Sequence, residues 1–134
     1  MSTAIERLKK AGMRPTRQRL ALAELLFGSG DRHVTAEELH AEATAARVSV
    51  SLATVYNTLN LLTQAGLMRE IAIASERTYF DTKTSSHFHY YLENEDLLVD
   101  IAAEDLIVKG LPEPPQGTRI ARIDVIVRLK NEQA

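Results

Sequence analysis

Residues 51–66 read SLATVYNTLNLLTQAG, and the reading of this stretch decides the fold. Leu52, Val55, Leu59 and Leu62 recur at helical spacing, which predicts an amphipathic helix from about Ser51 to Ala65. Gly66 is placed to end it, since glycine tolerates the left-handed conformation that closes a helix. The polar face gathers Ser51, Thr54, Tyr56 and Asn57 near the N-terminal end. Those residue types at that end suit a helix presented to base edges and phosphates, and they equally suit the solvated face of a packing module.

The flanking segments bear on that choice. Upstream, a short helix is predicted over 4–11, interrupted by Gly12 and Pro15, and a second over about 16–27 with Thr16 as N-cap and Leu20, Leu22, Leu25, Leu26 and Phe27 inward. Gly28 to Asp31 reads as a turn and His33 as part of a loop. Thr35-Ala-Glu-Glu38 reads as a capping box opening a helix to about Ala46. Downstream, Leu67 to Ala72 and Arg77 to Phe80 read as the strands of a hairpin. After the short leading helix, three helices and then a two-stranded hairpin is the winged helix-turn-helix order.

Beyond Asp81 the period changes. His87 to Glu93, Leu97 to Ile101 and Arg119 to Leu129 read as strands, 103–109 as a short helix and 112–115 as a proline-rich loop. The fold class predicted is α+β: a winged helix-turn-helix domain over 1–81, a polar hinge over 82–86, and a small α/β dimerisation and metal-sensing domain over 87–134. The last is too small to bury a comfortable core alone, so pairing with a second copy is expected.

The chain has 134 residues, 45% hydrophobic, with a net charge of −2 and no cysteine. Bulk charge does not mark a nucleic-acid binder, but its distribution shifts the reading toward one. Residues 1–22 carry +5 through Arg7, Lys9, Lys10, Arg14, Arg17 and Arg19 against Glu6, whereas residues 71–134 carry −4. A basic front places one end of the chain on phosphates and tilts the reading of the 51–65 helix toward DNA. Without an apolar segment of spanning length or a secretory pattern at the start, a cytosolic protein without membrane partners is expected. The lack of cysteine excludes disulfides and thiolate zinc sites, so any metal must be held by imidazole and carboxylate.

Such a set is available. His87 and His89 stand one residue apart, which on a strand directs both side chains to one face. Asp81 precedes them, Asp100 ends the next predicted strand and closes the set, and His33 is a further candidate from the front half; His40 reads as exposed on its helix. Mixed nitrogen and oxygen donors without sulfur suit one Fe2+ or Mn2+ per subunit better than a structural zinc, although Zn2+ can also enter in vitro.

These segments together resemble the ferric uptake regulator superfamily over roughly residues 5–130. The resemblance is carried by Arg14-Pro-Thr-Arg-Gln-Arg19, His33-Val-Thr-Ala-Glu-Glu38, Ser51-Leu-Ala-Thr-Val-Tyr-Asn-Thr-Leu59, Gly66-Leu67, and Tyr79-Phe-Asp81 followed by His87-Phe-His89. Within it the chain looks most like the iron response regulators (Irr) of alphaproteobacteria, through HYYLENEDLLVDI and ARIDVIVRL. That likeness implies a homodimer on a near-palindromic double-stranded DNA operator, controlling iron and haem genes, with iron or haem as signal. It also implies that His33, Asp81, His87, His89 and Asp100 form a regulatory metal site joining the two domains. Tyr56 then falls on the recognition-helix tyrosine and Arg17 and Arg19 on the basic second helix. The same five ligand types are found in the peroxide-sensing branch, where peroxide oxidises a ligand histidine, so a peroxide-responsive repressor is the alternative. The chain departs from the superfamily in having Leu92 and Glu95 at the first Cys-x-x-Cys pair, which implies no structural zinc. Ser86 and Phe88 interrupt the histidine run of the second metal site and of the haem-linked members. A mononuclear non-haem iron enzyme would leave the basic front unexplained, as would a metal buffer, and no enzyme is expected.

Overall fold

The computed structural model describes residues 3–74, 77–85 and 87–132. The chain divides into two compact units, 1–84 and 85–134.

The first unit contains α1 (Ala4–Lys10), α2 (Arg17–Phe27), β1 (His33–Val34), α3 (Ala36–Ala45), α4 (Leu52–Gln64), β2 (Arg69–Ala74) and β3 (Arg77–Asp81). Each helix begins on a hydroxyl that accepts a backbone amide: Thr3 from Glu6, Thr16 from Arg19, Thr35 from Glu38 and Ser51 from Thr54. Thr3 with Glu6 and Thr35 with Glu38 complete reciprocal capping boxes, satisfying amides that a helix start leaves open. The inward faces of the helices converge. Leu8, Leu22, Leu26, Leu39, Leu59 and Leu62 are fully buried together with Val55, and Phe80 of β3 closes the cluster. At about 2 kcal/mol for each buried leucine, this core dominates the stability of the unit. On α2 the buried residues are Leu22, Ala23 and Leu26, while Leu20, Leu25 and Phe27 pack at the core's margin.

The first unit departs from the sequence reading at four places. His33 lies in a strand, β1, and not in a loop; β1 and β2 flank β3 in a three-stranded antiparallel sheet. The hairpin strand starts at Arg69 rather than Leu67, because Leu67 and Met68 are used to close α4 and to pack inward. His40 is half-buried with its ring at 3.0 Å from the Val50 carbonyl, where an exposed position was expected. Thr82, the first residue of the expected hinge, is stitched to the sheet: its amide donates to the Arg32 carbonyl (2.9 Å) and its hydroxyl accepts from the Arg32 amide (2.9 Å). Ser86 of that hinge lies outside the described residues.

The second unit contains β4 (Phe88–Leu92), β5 (Leu97–Ile101), a single 3-10 turn at Ala103–Asp105, and β6 (Ile126–Leu129). The central β4 pairs antiparallel with β5 and parallel with β6. Here the sequence reading overestimates regular structure. The helix expected over 103–109 is only that 3-10 turn, since Leu106 is already extended and Gly110 takes a positive φ. Of the strand expected over 119–129 only Ile126–Leu129 forms, preceded by Val125, whose carbonyl accepts the His89 amide (3.2 Å); Ile120 and Ile123 are exposed. Among the described residues of this unit, the buried apolar side chains are Tyr91 and Leu98. No described helix of the chain is long and apolar enough to cross a membrane.

At Gly66 the chain turns left-handed (φ 79) to end α4, with open space where a Cβ would stand. Gly66→Ala is therefore expected to cost about 1 kcal/mol from the backbone alone, read as a lower denaturant midpoint with an unchanged slope. An unchanged midpoint would contradict the left-handed assignment.

Candidate metal centre and nucleic-acid interface

Strand pairing brings the second unit's three ligand-type residues together. His89 and Asp100 are register partners across β4 and β5, and His87 stands just ahead of β4. The Nε2 atoms of His87 and His89 lie 3.7 Å and 3.4 Å from the same Asp100 oxygen, and the two imidazole rings are 4.5 Å apart between centroids. Both histidines are buried, at 1% and 2% exposure, whereas the Asp100 side chain is open to solvent at 44%. One donor atom from each residue falls within 4.8 Å of the others. His87 Nδ1 lies 2.8 Å from the Ser85 carbonyl. A proton on Nδ1 satisfies that carbonyl and leaves the Nε2 lone pair directed at the cluster, which is how metal-ligating imidazoles are oriented. The donor set fits a divalent cation that accepts mixed N and O ligands, such as Fe2+, Mn2+ or Zn2+.

The first unit holds the other two candidates on neighbouring strands. His33 of β1 and Asp81 of β3 are register partners. The His33 ring meets Tyr79 edge-on at 5.9 Å. Asp81 is 1% exposed, and its Oδ1 accepts the Lys83 amide at 2.9 Å. The residue before His33 fixes the placement of β1. Arg32 donates to the Leu25 carbonyl (3.1 Å) and to both oxygens of Glu42 (2.8 and 2.5 Å), tying the strand to α2 and α3. The Glu42 hydrogen bond and charge hold the Arg32 guanidinium above its ordinary pKa, against the opposing effect of its burial.

The residues expected to meet DNA occupy the approach to α2, its first turn and the N-terminal part of α4. Arg14, Arg17, Tyr56 and Asn57 are exposed. Two others have structural duties: Ser51 caps α4 and donates to Thr54 Oγ1 (2.9 Å), and the Arg19 guanidinium donates to the Arg14 carbonyl (3.2 Å). Sequence reasoning missed Glu37. From α3 its carboxylate accepts the Tyr56 phenol proton at 2.6 Å. That bond holds the Tyr56 hydroxyl above its ordinary pKa, and the same bond lowers the Glu37 carboxyl. Nothing local signals a pair 19 residues apart; only the placement of Glu37 and Tyr56 toward the N-terminal ends of two consecutive helices brings them together.

The ferric uptake regulator family model matches residues 10–111. The peroxide operon regulator of Bacillus subtilis is 36% identical over 100 residues, which are 75% of this chain and 68% of that protein. The peroxide-responsive repressor of Staphylococcus epidermidis is 32% identical over 75% of this chain and 66% of its own length. The fold is that of the ferric uptake regulator of Pseudomonas aeruginosa solved with manganese: TM-score 0.71 and 21% identity over 98% of this chain and 99% of that one. On these grounds the chain belongs to the ferric uptake regulator family.

Proposed function

We propose that this chain is a metal-responsive transcription regulator of the peroxide-responsive kind. On this reading it acts in the cytoplasm as a homodimer on a near-palindromic operator. The observation that carries the proposal is the donor array of His87, His89 and Asp100, set beside relatives that are peroxide regulators by name. His33 and Asp81 are the remaining donors on this reading, so that one Fe2+ or Mn2+ per subunit takes ligands from both units. Bound there, Fe2+ supplies one-electron chemistry toward peroxide that Mn2+ does not. The chain's own part is to hold buried imidazoles beside the ion, one of them pinned by Ser85. A metal tied to both units fixes the spacing of two α4 helices on adjacent turns of DNA, and so couples the ion to operator affinity.

Dimerisation follows from the second unit's scarce core. Tyr90, Leu97, Val99, Ile107, Leu111 and Leu129 are exposed there, and apolar side chains left in water favour burial against a partner. A second copy is the economical cover.

An iron response regulator answering to haem is the second reading, favoured by the segments HYYLENEDLLVDI and ARIDVIVRL. One titration separates the two. Affinity for an operator duplex is measured by fluorescence anisotropy at fixed salt in chelated, Mn2+-loaded and Fe2+-loaded protein, with peroxide or haem added. Tight binding that requires Mn2+ or Fe2+, and is lost to peroxide only in the Fe2+ form with an added oxygen on His33, His87 or His89, is the expected result. Tight binding by chelated protein that haem weakens would replace it with the second reading.

In the interface, Glu37 occupies the Tyr56 proton, so the phenol offers DNA its oxygen as an acceptor and its ring as an apolar surface. Because the hydrogen bond raises the Tyr56 pKa, Glu37→Ala is expected to move one phenol titration downward toward the ordinary tyrosine range. The step is assigned by its loss in Tyr56→Phe. The Glu37 carboxyl, lowered by the same bond, contributes to folding above its unfolded pKa and loses that contribution as pH falls through its folded value. A phenol titration that does not move in Glu37→Ala would show that the pair is not formed in solution.

A further inference from the structure

Three helices of the first unit end in the same way. After α1, α3 and α4 an amide reaches back five residues: Met13 to Leu8 (2.9 Å), Val48 to Ala43 (2.8 Å) and Leu67 to Leu62 (3.0 Å). Within each turn a second amide reaches back three residues: Gly12 to Lys9, Arg47 to Thr44 and Gly66 to Thr63, all at 3.0 Å. This paired closure requires one residue in the left-handed conformation, and glycine is the residue that adopts it without a steric cost. Two of the three turns use glycine, Gly12 (φ 74) and Gly66 (φ 79); the turn between α3 and α4 uses Arg47 (φ 61). The other described non-glycine residue with a positive φ is Asp96, whose short polar side chain is a type that tolerates it. Arginine is not.

Arg47 borders a hollow in the first unit. Together with Arg17, Gln18, Ala21, Val48 and Ser49 it lines a cavity of about 340 Å³. Gln18 Nε2 donates to the Ser49 carbonyl (2.7 Å) and fastens α2 to the turn beside the cavity. Arg17 and Arg47 are exposed, and neither guanidinium makes a hydrogen bond or ion pair among the described residues. Both arginines line one hollow, where an anion would offset their like charges, and the planar fork of each matches a phosphate oxygen pair. The hollow sits at the turn of the helix-turn-helix, beside the N-terminal end of α4.

We propose that Arg17 and Arg47 form a clamp for one backbone phosphate of bound DNA, and that the left-handed strain at Arg47 is tolerated because it aims a guanidinium into that clamp. The proposal rests on α4 being the DNA-reading helix. It adds a contact at the helix-turn-helix turn that sets the register of α4 without reading sequence.

The test uses the full-length, Mn2+-loaded protein and a labelled duplex selected by the wild-type protein from a random pool. Affinity is followed against salt, alongside thermal unfolding. Arg47→Gly is expected to raise the unfolding midpoint while weakening DNA binding severalfold. It is also expected to lower the slope of log affinity against log salt by about one. Arg47→Asn, which tolerates the left-handed conformation but carries no charge, should lose the same slope. Arg17→Ala should weaken binding similarly without raising the midpoint, and the double variant should lose less than the product of the two single losses, because both act on one phosphate.

Unchanged affinity and slope in Arg47→Gly, while Asn57→Ala weakens binding, would overturn the clamp and leave the reading of α4 intact. Full multiplicativity in the double variant would also overturn it. So would inorganic phosphate raising the wild-type midpoint but not that of Arg47→Gly, with DNA affinity equal in both, since the hollow would then serve a free anion. Absence of salt-dependent duplex binding by the wild-type protein would remove both the clamp and the α4 reading.

Discussion

One imidazole and a carboxylate meet on adjacent strands of a very small sheet, a second imidazole joins them from just ahead of the first strand, and the chemistry of the second unit depends on that arrangement. The pairing of His89 with Asp100 across β4 and β5, and the short approach of His87 to the Ser85 carbonyl, aim two Nε2 atoms at one carboxylate oxygen. Both histidines are almost wholly buried. Polar side chains withdrawn from water are costly unless their lone pairs and protons are matched, and a divalent cation matches nitrogen and oxygen donors converging within one small sphere. A unit whose described interior contains two histidines beside Tyr91 and Leu98 has given up much of the apolar packing that ordinarily stabilises a sheet.

That concession divides the labour between the units. The first unit stands on its leucine cluster and its capped helices, so it presents α4 and the turn before it on a rigid frame. The second leaves apolar side chains in the open and depends on outside cover, which a second copy supplies on the reading proposed above. Rigid recognition elements on one unit and a polar, metal-type interior on the other are the two parts a metalloregulator needs. On the reading proposed above, coupling them takes ligands from both, and His33 and Asp81, register partners across β1 and β3, are the first unit's candidates.

How much of this was legible in the sequence depended on the range of the interaction. α4 was legible from its leucine spacing, and α3 from Thr35 and Glu38, because both signals are local and repeat or reciprocate within a few residues. The mixed α+β architecture followed from them. β1 was not legible: two residues carry no period, and His33 enters the sheet only because Arg32 and Thr82, 50 positions apart, exchange backbone and hydroxyl bonds. The segment 119–124 looks like a strand from its isoleucines, but β-branched residues make a strand only where they find a partner edge and a surface to pack on, and Ile120 and Ile123 stay exposed. Glu37 and Arg47 were missed for related reasons, one acting through a side-chain contact between helices and the other through a backbone angle that its residue type disfavours. His87, His89 and Asp100 were proposed from an alternation and a predicted strand end, and the register of β4 with β5 brings them together.

The most direct test of a single ion held by residues of both units is a calorimetric Mn2+ titration of the wild-type protein, of His33→Ala and of His89→Ala. One tightly bound ion per chain is expected in the wild type and a loss of tight binding in both variants, with folded dimers retained by circular dichroism and sedimentation. Wild-type affinity in His33→Ala, with loss only in His89→Ala, would place the ion in the second unit alone and contradict the account.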